Sequence, residues 1–444
     1  MSLNFDKVGQ IIGFEFGRIL PYELIFELAR STGFCKRIRK VHPVIFLHLL
    51  IFSPSLHHHP TVAEIWRNHE NLTGSNIAYS SFVARLNEVS LRFFKAVLTE
   101  CIKSPTTGMS LCLRQRYEKF VTVYIQDSTI VRLNKKLADR FPAARSRKIA
   151  AGVKISYLLN VLTNGADKIS IVPERTSEIK TLRVGPWVKE TLLLVDLGFF
   201  KYQLFARINE NHGYFISRVK KSCDLTVVKF NSTVTDGQKE QFLGKDLVSF
   251  LDTSDSTFID TTVSVKVKRR AYRGKQRGEL YMFRCVGRVH AKTGKWHLYL
   301  TNLSTEDFTV DEIAELYRFR WEIESLFDEA KNECMLGDLK VSRQEAVMTL
   351  LYVTLLRQLI LKRVYLVMRS LMSERERNKL SGDLYGRAFI EQMNRLLEVI
   401  IDEWKVEREQ LAGVNGWKVW FTWLKVNSQQ YHASRLTRDS FVFR

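Results

Sequence analysis

The sequence predicts an α/β fold: a mixed sheet, interrupted by an all-β insert and flanked by helical regions at both ends. Three observations carry this. β-rich runs separated by turn residues begin near residue 116, a second set of alternating runs occupies 223–300, and helix-period apolar spacing dominates before and after them. With 444 residues and 45% hydrophobic residues, the chain is long enough for two to four domains and too apolar to be disordered.

The elements follow in chain order. Residues 1–115 read as a helical N-terminal region, with helix-period segments around Pro21 to Thr32 and Ser80 to Ile102. The shorter pieces between them have the scale of helix-turn-helix units. Residues 116–222 are the first part of the sheet core. FVTVYIQDSTIVRL, GVKISYLLNVL and KISIVPERT are three β-rich runs, and TLLLVD is short and continuously apolar, as in a buried parallel strand. KYQLFARINEN predicts a helix and GYFISRVKK a fifth strand. Residues 223–300 are the insert, in which TTVSVKVKR, ELYMFRCVGRVH and WHLYLTNL are joined by glycine-bearing turns such as AKTGK. Residues 301–370 complete the core, with one helix opening near Val310 and a second run over Ser342 to Ser370. SERERNKLSGD is a polar linker, and 371–444 is a helical C-terminal region, the candidate for dimerisation.

Charge narrows the partners. The formal net charge is +21, which favours a polyanion, because each Lys or Arg that meets a phosphate releases a counterion. An acidic membrane surface is the other such partner, but it is usually met by a basic amphipathic helix or a lipidation site, and neither is present. The N-terminus MSLNFDKVGQ lacks the regions of a signal peptide, and the longest uncharged apolar stretch, Val44 to Phe52, is too short to span a bilayer. The six cysteines form no CxxC pair, which fits reduced thiols in the cytoplasm. The expectation is a cytoplasmic, nucleoid-associated protein with a DNA-binding N-terminal region and no membrane partner.

The basic residues fall in blocks. KVKRRAYRGKQRG at 266–278 concentrates Lys268, Arg269, Arg270 and Arg273 on a predicted hairpin, as a DNA-backbone contact or, more plainly, as a solvated hairpin tip. The helix over 81–98 carries Arg85 and Arg92 and suits either DNA or a packed bundle. His57, His58 and His59 lack the spacing of a metal site and read as a polar loop before Pro60. There is no Gly-rich phosphate loop, GxSxG or Cys/His nucleophile arrangement, so no nucleotide cofactor is expected.

Three acids stand out. In VTVYIQDSTIVRL the apolar face is Val121, Val123, Ile125, Val131 and Leu133, and Asp127 lies in the same phase. A carboxylate there needs an arginine, backbone amides or a metal to offset its desolvation. Asp196 ends TLLLVD, where acids point into the ligand crevice of α/β sheets, or where it caps the following helix. The third is Glu324, in YRFRWEIESLFDEAK at 317–331. Tyr317, Arg320, Glu324 and Lys331 are offset by 3, 7 and 14 residues, which places them within roughly 60° of one another on a helix, along about 21 Å. An i,i+4 pair on a solvated face is the ordinary fate of such a Glu. Taken together, two strand acids and a helix acid suit hard Mg²⁺ or Mn²⁺, two ions of which serve an in-line phosphoryl transfer. That order of acids on a mixed sheet is what a ribonuclease-H-like fold presents.

The spacing Y-x2-R-x3-E-x6-K at Tyr317, Arg320, Glu324 and Lys331 resembles the signature of the insertion-sequence-four group of bacterial DDE transposases. QDST around Asp127 resembles that family's first-acid strand. VDLGFF around Asp196 resembles its second-acid block, which has a small residue two positions later, here Gly198. The resemblance is residue-level over three blocks and architectural over about 116–370. It implies a ribonuclease-H-like fold and metal-dependent cleavage and strand transfer of DNA at transposon ends. Asp127, Asp196 and Glu324 would hold two Mg²⁺ or Mn²⁺ ions, and Tyr317, Arg320 and Lys331 would contact phosphates near the cleaved end. Trp321, directly after Arg320, and Trp296, on the last strand of the insert, would hold a flipped base, although Trp296 also suits a sheet residue packed on the core. Double-stranded DNA, as terminal inverted repeats and as target, is the implied partner, with a homodimer on paired ends. A structure-specific nuclease and a DNA-binding relic without catalysis are the alternatives, and the presence of all three acids argues against the relic.

Overall fold

The structure is a computed structural model that describes residues 5–53, 61–103, 118–144, 150–161, 165–220, 223–232, 236–253, 256–272, 275–290, 293–318, 320, 343–406 and 414–429. Among the described residues, six helices, α1 (Phe5–Ile19), α2 (Tyr22–Ser31), α3 (Pro43–Phe52), α4 (Val62–Thr73), α5 (Tyr79–Val83) and α6 (Glu88–Lys103), precede the first strand. The strands are β1 (Thr122–Leu133), β2 (Ala151–Asn160), β3 (Gly165–Pro173), β4 (Thr191–Val195), β5 (Tyr214–Arg218), β6 (Thr226–Phe230), β7 (Phe258–Tyr272), β8 (Lys275–Val289) and β9 (Trp296–Thr301). Helices α7 (Tyr202–Glu210), α8 (Asp236–Phe242), α9 (Leu247–Thr253) and α10 (Val310–Arg318) lie among and after them, and α11 (Gln344–Leu371), α12 (Glu374–Arg377), α13 (Gly382–Glu391), α14 (Met393–Val406) and α15 (Val414–Asn427) follow. The chain divides into two compact units: Met109–Ile130 with Val153–Ser325, and Met1–Gly108 with Val131–Gly152 and Leu326–Arg444.

In the first unit, the described strands form one sheet in the order β3-β2-β1-β4-β5-β9-β8-β7-β6. β1, β4 and β5 are parallel, and β2 pairs antiparallel with β3. This is the mixed sheet that the sequence predicts. The continuously apolar run TLLLV marks a strand covered on both faces, since β4 is buried at every position, and so is the β-rich run of β2. In β1, Val123 and Ile125 are fully buried, whereas Val121, predicted on the same face, is exposed because it precedes the first strand residue. Helix α7 joins β4 to β5 and buries Leu204, Phe205, Ala206 and Ile208, with Phe205 stacked on Phe215 at 4.4 Å between ring centres.

The insert departs from the all-β expectation in two ways. It includes two seven-residue helices, α8 and α9, whose Phe242 and Phe250 pack at 5.2 Å. Seven residues give too few turns for helical periodicity to show in a sequence. Its strands also extend the sheet of β1, β4 and β5 rather than forming a separate one, because β9 pairs antiparallel with β5 at Ile216 and Thr301.

The described residues of the second unit are mainly helical, apart from the short strand ends it shares. Helix α3 is apolar all round and buried from Pro43 to Phe52 except at Ile45. Its last carbonyls accept from Arg357 of α11, whose Nε donates to Ile51 at 2.7 Å and Nη2 to Leu50 at 3.3 Å. Arg363, one turn and a half further on, donates to the Cys101 carbonyl of α6. Phe16 of α1 meets Trp417 of α15 at 5.1 Å, so the two helical ends of the chain belong to one body. The helix predicted over 81–98 is broken at 84–87, where the Asn87 side chain accepts from the Val89 and Ser90 amides and starts α6 anew. The polar linker contains α12, started by a Ser373–Glu376 capping box. Among the described residues, no helix is long and apolar enough to cross a membrane.

Candidate active site

The parallel register places the first two acids. Gln126 of β1 lies opposite Val195 of β4, so Asp127 and Asp196, each one residue further on, reach the same level of neighbouring strands spaced about 4.8 Å apart. Val195 in turn lies opposite Ser217 of β5, which brings Arg218 to that level on the next strand. Of Asp127 only the backbone is described. Asp196 stands at the N-cap position of a 3-10 turn, Leu197–Phe199, but its side chain makes no capping hydrogen bond. The carboxylate is instead 37% exposed and faces Arg320, whose Nη1 lies 3.9 Å from Oδ1.

The third element reaches the same place from α10. Thr309 and Glu312 start this helix with reciprocal bonds, the Thr309 amide donating to Glu312 Oε2 at 2.8 Å and the Glu312 amide to Thr309 Oγ1 at 3.3 Å. Its approach is fixed by Arg284 of β8, whose Nη1 donates to the Ser304 and Phe308 carbonyls at 2.6 and 2.7 Å. The same guanidinium forms a two-point ion pair with Asp260 of β7, at 2.9 Å from Nε and 2.5 Å from Nη2.

Tyr317 and Arg320 differ from the solvent-facing stripe that helical spacing predicts. Helix α10 ends at Arg318, and Arg320 sits in a turn in which its amide donates to the Tyr317 carbonyl at 3.1 Å. Both side chains are buried, with Arg320 only 4% exposed. Tyr317 packs on Tyr299 of β9 at 5.0 Å, and its hydroxyl donates to the Val195 carbonyl at 3.4 Å. Burial raises the Tyr317 phenol above its ordinary value, with Arg320 opposing in part, so Tyr317 keeps its proton. The Arg320 guanidinium lies over the Tyr317 ring at 5.5 Å.

Glu324, Lys331 and Trp321 lie outside the described residues, as does Arg273. Lys268 is exposed on β7, and for Arg269 and Arg270 only the backbone, also in β7, is described. Trp296 opens β9 half-buried, packed against the hydrophobic core of its unit. Two residues near the acids carried no signal in the sequence. Arg218 was one of several cations ending a strand, and Glu178 sits in a loop between β3 and β4 that matches no motif.

The transposase DDE domain family matches residues 119–357, more than half of the chain. The chain belongs to that family. This DDE transposase is 21% identical over 382 residues to the transposase for insertion sequence element IS1151 of Clostridium perfringens, covering 80% of this chain and 81% of that one. It is 20% identical over 412 residues to the transposase for insertion sequence element IS231E of Bacillus thuringiensis subsp. finitimus, covering 86% and 85%. A solved piggyBac transposase synaptic complex with hairpin DNA is similar over 99% of this chain and 88% of that one, at 12% identity and a TM-score of 0.45.

Enzymes of this family work with divalent metal ions. The residues present suit such an ion: two aspartates follow the paired Gln126 and Val195 on adjacent parallel strands, and their side chains, that of Asp196 solvent-accessible, are by chemistry hard oxygen donors. Among the described residues no group of three His, Cys, Asp or Glu is placed to hold a metal. The predicted third ligand, Glu324, falls outside them.

Proposed function

We propose that this DDE transposase is a cut-and-paste DNA transposase acting on the terminal inverted repeats of its element. The observation that carries the reading is the common level of Asp127 and Asp196 on β1 and β4, with Arg320 set against Asp196. In this reading Asp127, Asp196 and Glu324 would hold two Mg²⁺ or Mn²⁺ ions, whose contribution when bound would be Lewis-acid stabilisation of the charge on the exchanging oxygens. Every step is an exchange at phosphorus, with one P–O bond formed and one broken. Water releases a 3′-OH at the transposon end, and that hydroxyl attacks the opposite strand to give a hairpin. A second water opens the hairpin, and the freed 3′-OH attacks target DNA.

The chain's own groups orient these exchanges. Arg320 compensates Asp196 before DNA arrives and then, with Lys331, holds phosphates beside the scissile bond, a task suited to its planar fork. Tyr317 donates a hydrogen bond from its hydroxyl to the end of β4, fixes the start of the signature segment there and lies next to the cleaved end. Lys268, Arg269, Arg270 and Arg273 follow the DNA backbone, and two copies of the chain join paired ends as a homodimer. The working compartment is the cytoplasm, on the nucleoid.

Metal replacement tests the reading. Cleavage of a DNA carrying the terminal repeats is expected with Mg²⁺ or Mn²⁺ and not with Ca²⁺, whose larger and looser shell fits in-line geometry poorly. Full cleavage in EDTA would remove the metal reading. A second measurement addresses the flipped base, which Trp296 and Trp321 hold. Trp296→Ala is expected to spare the first nick and to slow hairpin formation, at a stacking cost of about 1–3 kcal/mol. Its packed position on β9 motivates the control: equal slowing of nicking and hairpin formation, quantified over time, would leave Trp296 a packing residue.

A further inference from the structure

Glu178 lies in a 3-10 turn, Glu178–Lys180, between β3 and β4, and its side chain meets both acid-bearing segments. On one side, Oε1 accepts from the hydroxyl of Ser128, the residue after Asp127, at 3.0 Å. On the other, the carboxylate packs on the backbone of Gly198, two residues after Asp196, so closely that a Cβ built there would overlap it. Lys154 of β2, largely buried, donates to the Thr176 carbonyl at 2.7 Å and lies 4.0 Å from Glu178 Oε1. A buried polar chain holds the turn itself. The Glu178 carbonyl accepts from Thr181 Oγ1 at 2.6 Å, Thr181 accepts from Ser156 at 3.0 Å, and Ser156 accepts from the Gln126 amide. Gln126 is the residue before Asp127, so both neighbours of the first acid are tied to one turn.

We propose that Glu178 is a positioning residue of the catalytic centre, which ties the Asp127 strand to the Asp196 turn and sets the spacing of the two acids for a divalent cation. This rests on the reading that those acids hold metal. Two carboxylates brought to one level repel each other, and only a fixed frame keeps them at the separation a small, hard ion requires. Outer groups that orient metal ligands typically matter 10–100-fold in affinity or activity. The absence of a side chain at Gly198 gains a local reason: any larger residue would displace the Glu178 carboxylate from its seat.

Titration of the full-length chain with Mn²⁺, without DNA and with free Mn²⁺ read by electron paramagnetic resonance, tests this independently of catalysis. Glu178→Ala is expected to weaken Mn²⁺ binding about 10–100-fold while gel shifts of the terminal repeats stay unchanged. Glu178→Gln keeps an acceptor for Ser128 and is expected to lose less. Gly198→Ala should weaken binding in the natural chain but add nothing to Glu178→Ala, because the two changes act through one contact. Should Glu178→Ala fail to fold, by its circular dichroism melt, Ser128→Ala removes the same tie and carries the test. Natural Mn²⁺ affinity in both Glu178→Ala and Gly198→Ala would overturn the proposal. Asp196→Ala separates the two levels: if it loses Mn²⁺ while the Glu178 variants do not, only the positioning role falls. If Asp196→Ala binds Mn²⁺ as the natural chain does, the metal reading of the acids falls and takes the positioning role with it.

Discussion

Asp196→Ala is expected to abolish strand cleavage while leaving binding to the terminal repeats nearly intact. The Asp196 carboxylate is solvent-accessible, makes no capping bond, and stands level with Asp127 on the neighbouring strand. Removal of a metal ligand costs several kcal/mol of transition-state stabilisation, or a rate loss of about 10³-fold or more. DNA affinity, in contrast, comes from many spread Lys and Arg contacts, and a net charge of +21 is scarcely altered by one acid. Asp196→Asn keeps the volume beside Arg320 and guards against a folding artefact. Asp127→Ala and Glu324→Ala belong to the same class. Nicking assays run beside gel shifts on each variant decide the matter, and near-natural nicking by any one of the three removes that residue from the centre.

The second large effect concerns stability. Arg284→Ala is expected to destabilise its unit by about 3–5 kcal/mol, the cost of breaking a buried ion pair from one side. The arginine is 6% exposed and its partner Asp260 8%, so truncation leaves a buried carboxylate without its two-point partner. It also strips the donor from the Ser304 and Phe308 carbonyls, which hold the approach to α10. For a unit of this size the melting temperature should fall by about 6–20 °C, at 2–4 °C per kcal/mol. Arg284→Lys should recover little, since an ammonium cannot serve a carboxylate and two carbonyls in one plane. A melt within 2 °C of the natural protein's, roughly one kcal/mol or less, would show that the pair contributes little.

Much of this was legible in the sequence where burial is two-sided. TLLLV and the core of GVKISYLLNVL admitted only strands, and the structure places β4 and β2 there, buried throughout. The acids were legible for a related reason: a carboxylate in an apolar phase, or at the end of an apolar run, has to be compensated. Periodicity failed for short or terminated elements. Helices α8 and α9 are too brief to repeat a helical pattern. The polar stripe of Tyr317 and Arg320 requires an unbroken helix, whereas α10 stops at Arg318 and both side chains are buried. Arg218 was invisible because its significance comes from strand register, and Glu178 because it comes from contacts with Ser128 and Gly198; both join residues far apart in the chain and leave no mark on local composition.

The pairing of β5 with β9 bears on how the chain is made. Strand β5 ends at Arg218, and its partner residues, up to Thr301, leave the ribosome some 80 residues later. At about 5–20 residues per second that interval is roughly 4–16 s. During it the parallel β1-β4-β5 core can assemble, but the outer rim of β5 offers unsatisfied amides and carbonyls to any passing strand. The insert strands β6, β7 and β8 emerge first, paired to receive β9, so the two halves of the sheet are joined when β9 appears. A nascent chain interrupted before Trp296 therefore leaves the facing edges of β5 and β8 open at once, and this vulnerable moment in the protein's biosynthesis precedes the arrival of Glu324, the proposed third acid.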